Sequence, residues 1–182
     1  MKITNTDLTG LKVIEIDVYS DDRGFFCERF NKKKFLDNGL PADFVQDNHS
    51  RSKPSVVRGL HYQKKPDQAK LVSCVAGEIL DVVVDIRENS PSFGKHFSIE
   101  LTEENGKMLY VPAGFAHGFS VLGNENAHVI YKVDGLYNPS GEGGIKFDDE
   151  NLNIDWRIKN PQVSDRDKGM QSFSDYIKNP VF

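Results

Sequence analysis

Apolar and polar residues alternate along much of this chain, and the alternation predicts strands. Residues 11–19, LKVIEIDVY, read as one strand with period two. Asp21-Asp22-Arg23-Gly24 makes a turn, and Phe25 to Phe30 reads as a second strand. Asn31 to Asn38 is the best helix candidate: Asn31 can cap it and Asn38-Gly39 stops it. Phe44 to Ser50 reads as extended.

Beyond this point the β pattern dominates. Val57 to Gln63 and Lys70 to Val75 are extended runs, and residues 78–87, EILDVVVDIR, form the clearest strand. Leu80, Val82, Val84 and Ile86 share one face there, and Asp81, Val83 and Asp85 the other. A carboxylate inside a barrel is costly unless paired, whereas one on the wet face of an antiparallel sheet costs nothing. The pattern leaves both placements open. His96 to Leu101, Lys107 to Val111, Phe115 to Leu122 and Ala127 to Asp134 are further strands, with a hairpin signal at Asn105-Gly106 and a turn at Pro112-Ala113-Gly114. The tail from Pro139 is irregular, with a short helix expected over 171–178. Short strands between turns indicate a sandwich or barrel rather than βαβ units.

Composition adds limits. The chain has 182 residues, which suits one domain over 1–182 with a core that needs no staples. Its net charge of −4 gives no general support for nucleic-acid binding. Cys27 and Cys74 form no CxxC pair and read as free thiols of a reducing compartment. The N-terminus lacks the apolar segment of a signal peptide, and no apolar run approaches the ~18 residues of a membrane span. The expected location is the cytoplasm, with no membrane partner.

The chemistry centres on Val57-Arg58-Gly59-Leu60-His61-Tyr62-Gln63. Strict alternation puts Gly59, His61 and Gln63 on one face and Arg58, Leu60 and Tyr62 on the other. Gly106-x5-Pro112-x-Gly114-x2-His117 resembles the second motif of the cupin superfamily, whose metal-binding members use that histidine as a ligand. The matching first motif is broken. Gln63 stands where a second histidine belongs, and Lys70 stands roughly where a glutamate belongs. An ammonium has no lone pair for a metal, and zinc or iron sites want about three suitable ligands. The reading is a barrel in which a base and a cation replace a metal. Two other segments remain open on their own residues. Tyr131 reads as an acid or as a cross-strand aromatic filler. Ser164-Asp165-Arg166-Asp167 reads as an acidic group that orients a histidine, or as a solvated turn or helix cap.

Taken together, Arg58 to Gln63, Lys70-Leu71, Asp81 to Arg87, Ser90 to Gly94, Pro112 to Phe119 and Tyr131-Lys132 resemble the dTDP-4-dehydrorhamnose 3,5-epimerase family, in order, over residues 10–168. The resemblance implies an all-β fold, a cupin-type double-stranded β-helix or jelly-roll barrel with a few short peripheral helices. It implies a homodimer that uses no metal and no cofactor. The implied reaction inverts C3 and C5 of dTDP-4-dehydro-6-deoxy-glucose on the way to dTDP-L-rhamnose and cell-envelope polysaccharide. His61 matches the proton acceptor, Asp167 its acidic partner, Tyr131 the proton donor and Lys70 the cation beside the keto oxygen. Gln46, Asn48, Arg58, His117, Glu142 and Arg166 match substrate contacts. Arg166 stands where the family commonly has lysine. Tyr137 matches the aromatic that stacks on thymine. Arg23 and Glu28 match nucleotide contacts that reach the partner's site, and Phe26 matches a substrate contact. Asp81 is placed behind the residues in direct contact. As a substrate contact, Arg58 requires a bulge at Gly59 or an approach from the strand's end.

The reaction wants these groups. Protons α to a ketone leave as the enolate forms, and a base near neutral pKa suits that step. Lys70 in a dry barrel would stabilise the enolate oxygen. Inversion needs a second group across the ring, which fits Tyr131. The rival readings are a 3- or 5-epimerase or 3,4-ketoisomerase for a related dTDP-sugar on the same scaffold, a sugar-binding cupin without catalysis, and a metal-dependent cupin.

Overall fold

A computed structural model describes residues 1–182. Thirteen strands and three α-helices follow in order. The strands are β1 (Lys2–Asn5), β2 (Lys12–Glu15), β3 (Val18–Asp21), β4 (Gly24–Cys27), β5 (Gln46–Ser52), β6 (Val57–Gln63) and β7 (Lys70–Ala76). They continue with β8 (Glu78–Asp85), β9 (His96–Thr102), β10 (Lys107–Val111), β11 (Phe115–Val121), β12 (Ala127–Val133) and β13 (Glu142–Gly144). The helices are α1 (Lys32–Asp37), α2 (Asp165–Lys168) and α3 (Phe173–Lys178).

Two antiparallel sheets face each other. One runs β1-β2-β10-β7-β12-β5 and the other β13-β6-β11-β8-β9. Their inner faces meet over Val72, Leu109 and Val129 from the first sheet and Val83, Phe119 and Val121 from the second. This is the double-stranded β-helix expected. Each outer face is also covered. Helix α1 lays Phe35 over Ile14, Leu71 and Met108 of the six-stranded sheet. The C-terminal segment lays Trp156, Phe173 and Tyr176 over Leu80, Val82 and Val84 of β8. Burial of these faces supplies the main driving force for the barrel.

The two-sided burial of β8 settles the placement of its acids. Asp81 and Asp85 lie on the inner face and are both 0% exposed. They are tolerated because each is paired. Asp85 accepts hydrogen bonds from Arg87, Ser90 and Ser92.

Four expectations change in detail. The stretch over 11–19 is two strands: β2 joins the large sheet, and β3 turns away to pair with β4 as a separate hairpin. That second strand ends at Cys27 rather than continuing to Phe30. Asn105-Gly106 does make a turn, with Gly106 at φ +61. It does not make a hairpin, because β9 pairs with β8 while β10 pairs with β2 and β7. The turn carries the chain from one sheet to the other. Finally, β1 and β13 are additions to the expected strands; β13 is Glu-Gly-Gly and has no alternation to read.

Candidate active site

Strand β6 departs from strict alternation at one point. Arg58 pairs with Phe119 and His61 with His117, so Gly59 and Leu60 together oppose Gly118. This is a bulge. Gly59 takes φ +119, and a Cβ there would lie 2.6 Å from Gly118 Cα. Only glycine fits. The extra residue brings Arg58 round to the face of His61, while Leu60 is driven into the outer core. The bulge that Arg58 required is present.

The barrel's mouth holds a cavity of about 410 Å³. His61, Tyr131, Lys70, Gln46, Asn48, Arg58, His117, Tyr137, Glu142 and Arg166 all line it. The two sheets contribute different walls. His61 and His117 come from the five-stranded sheet; Gln46, Asn48, Lys70 and Tyr131 come from the six-stranded one.

His61 Nε2 lies 2.7 Å from Asp167 Oδ1. Asp167 is placed by α2, where Ser164 caps the helix by accepting from the Asp167 N–H. Its other oxygen accepts from the Gly59 N–H at 3.2 Å. Burial pushes the carboxyl up, but hydrogen bonds from His61 and Gly59 and the charge of His61 outweigh it and hold the pKa below the usual carboxylate range. An ionised Asp167 can only accept, so Nε2 carries a proton, and in the neutral ring Nδ1 holds the lone pair. Asp167 is 4% exposed and so is not a solvated turn residue, whereas Ser164, Asp165 and Arg166 are exposed and the helix-cap reading of the segment holds for Ser164.

Directly opposite, His117 Nε2 lies 2.9 Å and 3.0 Å from the two oxygens of Asp81. Burial raises the Asp81 carboxyl, and His117 opposes the rise. Asp81 sits behind His117 and is not itself part of the cavity lining. Across the cavity, Lys70 is 7% exposed. Burial lowers its pKa to about 8, partly offset by Asp134 and Glu142. Burial also raises Tyr131, so its phenol keeps its proton at neutral pH. Tyr131 packs against the interior core as well, so it is both filler and cavity wall.

At the rim, Glu142 forms an ion pair with Arg166 at 2.7 Å and accepts from the Tyr137 hydroxyl at 2.9 Å. Gln63 has a task unrelated to metals. Its amide donates to the Pro66 and Leu136 carbonyls and accepts from the Asn138 N–H. It thereby ties the loop bearing Tyr137 to the strand bearing His61. No group of three or more His, Cys, Asp or Glu side chains comes together to hold a metal ion.

Arg23, Phe26 and Glu28 lie away from this cavity. Arg23 pairs with Asp21 at the tip of the β3–β4 hairpin, and Glu28 pairs with Lys34. Phe26 is 69% exposed. Residues not anticipated include Ser50, Gln68 and Phe119. Ser50 was within reach, because it continues the Gln46, Asn48 series at every second position. Gln68 lies in a loop and carries no periodic signal.

The family profile described as dTDP-4-dehydrorhamnose 3,5-epimerase matches residues 5–175. The chain is 47% identical over 177 residues to a dTDP-4-dehydrorhamnose 3,5-epimerase of Shigella flexneri, covering 96% of this chain and 97% of that one. The crystal structure of dTDP-4-dehydrorhamnose 3,5-epimerase from Elizabethkingia anophelis superposes with a TM-score of 0.89 at 49% identity, covering 96% of this chain and 97% of that one. That of dTDP-6-deoxy-D-glucose-3,5-epimerase from Legionella pneumophila, in complex with dTDP-4-keto-L-rhamnose, superposes with a TM-score of 0.90 at 44% identity, covering 94% and 92%.

Proposed function

The chain belongs to the dTDP-4-dehydrorhamnose 3,5-epimerase family, and on that footing we propose that it inverts C3 and C5 of dTDP-4-dehydro-6-deoxy-glucose to give dTDP-4-dehydro-L-rhamnose. The observation that carries this reading is the His61–Asp167 pair, 2.7 Å apart, facing Tyr131 and Lys70 across one cavity.

His61 takes a proton α to the C4 ketone through Nδ1, while Asp167 holds Nε2–H and balances the imidazolium that forms. Negative charge gathers on the C4 oxygen. The buried Lys70 ammonium meets it where water screens little. Tyr131 projects from the other sheet and returns a proton to the opposite face of the ring, which turns exchange into inversion. Arg58 and Arg166 supply local positive charge for the diphosphate of an anionic substrate, despite the chain's net negative charge. His117, Gln46 and Asn48 bind the remaining polar edges, and Tyr137 with Glu142 receives the nucleotide at the rim. Asp81 holds the His117 ring.

The reading extends to a single epimerase domain over residues 1–182 that works as a homodimer in the cytoplasm. Support for pairing comes from the β3–β4 hairpin, which exposes Tyr19, Phe25 and Phe26 beside Arg23. In the dimer, Arg23 and Glu28 reach the nucleotide in the partner's site, and Phe26 is a further substrate contact. No helix is long and apolar enough to cross a membrane.

The test is NMR of the product formed from dTDP-4-dehydro-6-deoxy-glucose in D2O. The expected result is deuterium and inversion at both C3 and C5. Inversion at one carbon alone would make the protein a single-site epimerase, movement of the ketone a ketoisomerase, and absence of exchange a sugar-binding protein.

A further inference from the structure

His61 borders two cavities. Besides the front cavity, a second of about 360 Å³, termed the rear cavity here, shares Arg58, His61 and Arg166 with it and is otherwise lined by Val56, Val57, Gln162, Val163, Ser164 and Asp167. Asp167 lines only this rear cavity. The His61 side chain keeps 30% of its exposure and that of Asp167 6%.

A proton balance gives that opening a purpose. Each inversion delivers one proton to His61 and draws another from the opposite face. Two inversions on one bound sugar deliver two protons to the same ring. The ring accepts only one beyond its neutral state. It has to lose the first before it can take the second, while the substrate occupies the front.

We infer that the rear cavity is a solvent port that discharges His61 between the two inversions. The imidazolium passes its surplus proton to a water in the rear cavity, which carries it to bulk as hydronium, and solvent returns one proton to the Tyr131 phenolate for each that the donor gives up, so the protons balance. The ring returns to neutral imidazole with Nε2–H still held by ionised Asp167. This inference rests on His61 being the base.

Closing the port tests it without touching the reacting groups. Gln162 is exposed, pairing with β6 and its approach through main-chain bonds to Val57 and Ser55, and Val163 is half-buried beside it. Gln162→Trp and Val163→Phe would each fill the rear cavity from a different residue. Product formation is followed by NMR in D2O, scoring singly and doubly inverted sugar. The expected result is a first inversion near the parent rate and a second slowed by about tenfold, so that singly inverted sugar accumulates. A first inversion at the parent rate also reports an intact fold. Double inversion at the parent rate in both variants would overturn the port. Equal loss of both inversions would overturn it too, marking the rear surface as part of binding or folding. His61→Asn tests the premise separately. Exchange that survives this change refutes the base, whereas lost exchange there with unaltered double inversion in the two port variants refutes the port alone.

Discussion

His61 stands directly opposite His117 across the β6–β11 ladder, and each ring is held through Nε2 by its own carboxylate, Asp167 or Asp81. The two pairs differ in surroundings. Asp167 is held below the usual carboxylate range against its burial, whereas burial wins at Asp81 and raises it. In the proposed mechanism the His61 ring takes up positive charge during turnover, and the His117 ring is fixed in a buried wall.

His61→Asn is expected to abolish deuterium wash-in at both C3 and C5 while the circular dichroism spectrum is kept. Asp167→Asn leaves the ring in place but removes the charge that supports the imidazolium. A fall in kcat of roughly 10²-fold or more is expected. Unchanged exchange rates in the first variant would remove His61 from the mechanism.

Tyr131→Phe deletes only a hydroxyl. Exchange should continue, because His61 and Lys70 remain, but inversion at C5 should fall by roughly 10²-fold. Comparing exchange with inversion in one NMR time course separates the two steps. Normal production of the inverted sugar would assign the donor elsewhere.

Lys70 opposes stability. Its pKa is about 8 in the fold against about 10.4 in an unfolded chain. Between those values the folded state binds fewer protons than the unfolded one, so stability rises with pH across that window. Below about 8 both states are protonated and the full penalty stands. Lys70→Met should therefore raise stability at pH 7 by roughly 1–3 kcal/mol, a gain that shrinks as pH rises towards 10, while turnover collapses. Urea denaturation at several pH values checks the first part, and a stability loss at pH 7 would contradict it. In the parent enzyme, activity should decline as pH passes about 8 and the ammonium is lost.

Gly59→Ala attacks the bulge. The added methyl would meet the Gly118 backbone at 2.6 Å in a residue already at φ +119. A loss of roughly 2 kcal/mol or more is expected, since backbone has little room to yield. Surviving protein should bind the dTDP-sugar poorly, because Arg58 no longer shares a face with His61. Thermal unfolding and a dTDP titration measure the two effects.

Much of this fold is legible in the sequence, for physical reasons. Period-two alternation locates β7, β8, β11 and β12 because each packs at least one largely apolar face, the outer one in β8. Asn31 and Gly39 bracket α1 because capping chemistry is local. Alternation says nothing about which sheet a strand joins, so residues 11–19 merge two strands, and Asn105-Gly106 suggests a hairpin where the chain changes sheets. It also assumes no bulge, which hides the shared face of Arg58 and His61. The pairing of Asp167 with His61 spans 106 positions and comes from resemblance to a family rather than from any local pattern. Gln63 is recognisably unfit for a metal, but its grip on the Tyr137 loop depends on the backbone of Leu136 and Asn138, both distant in sequence.

The proposed base and donor ride on different sheets, and this makes stereochemistry a matter of bore. The gap between His61 and Tyr131 is set by the apolar side chains stacked between the sheets, Val72, Val83 and Val129 among them. Those residues act as spacers for the reaction as well as filling for the core. One methylene added at Val83 would widen the gauge while touching no reacting atom. The enzyme would then still loosen protons but return more of them to the face they left, drifting from an epimerase towards a mere exchanger of hydrogen.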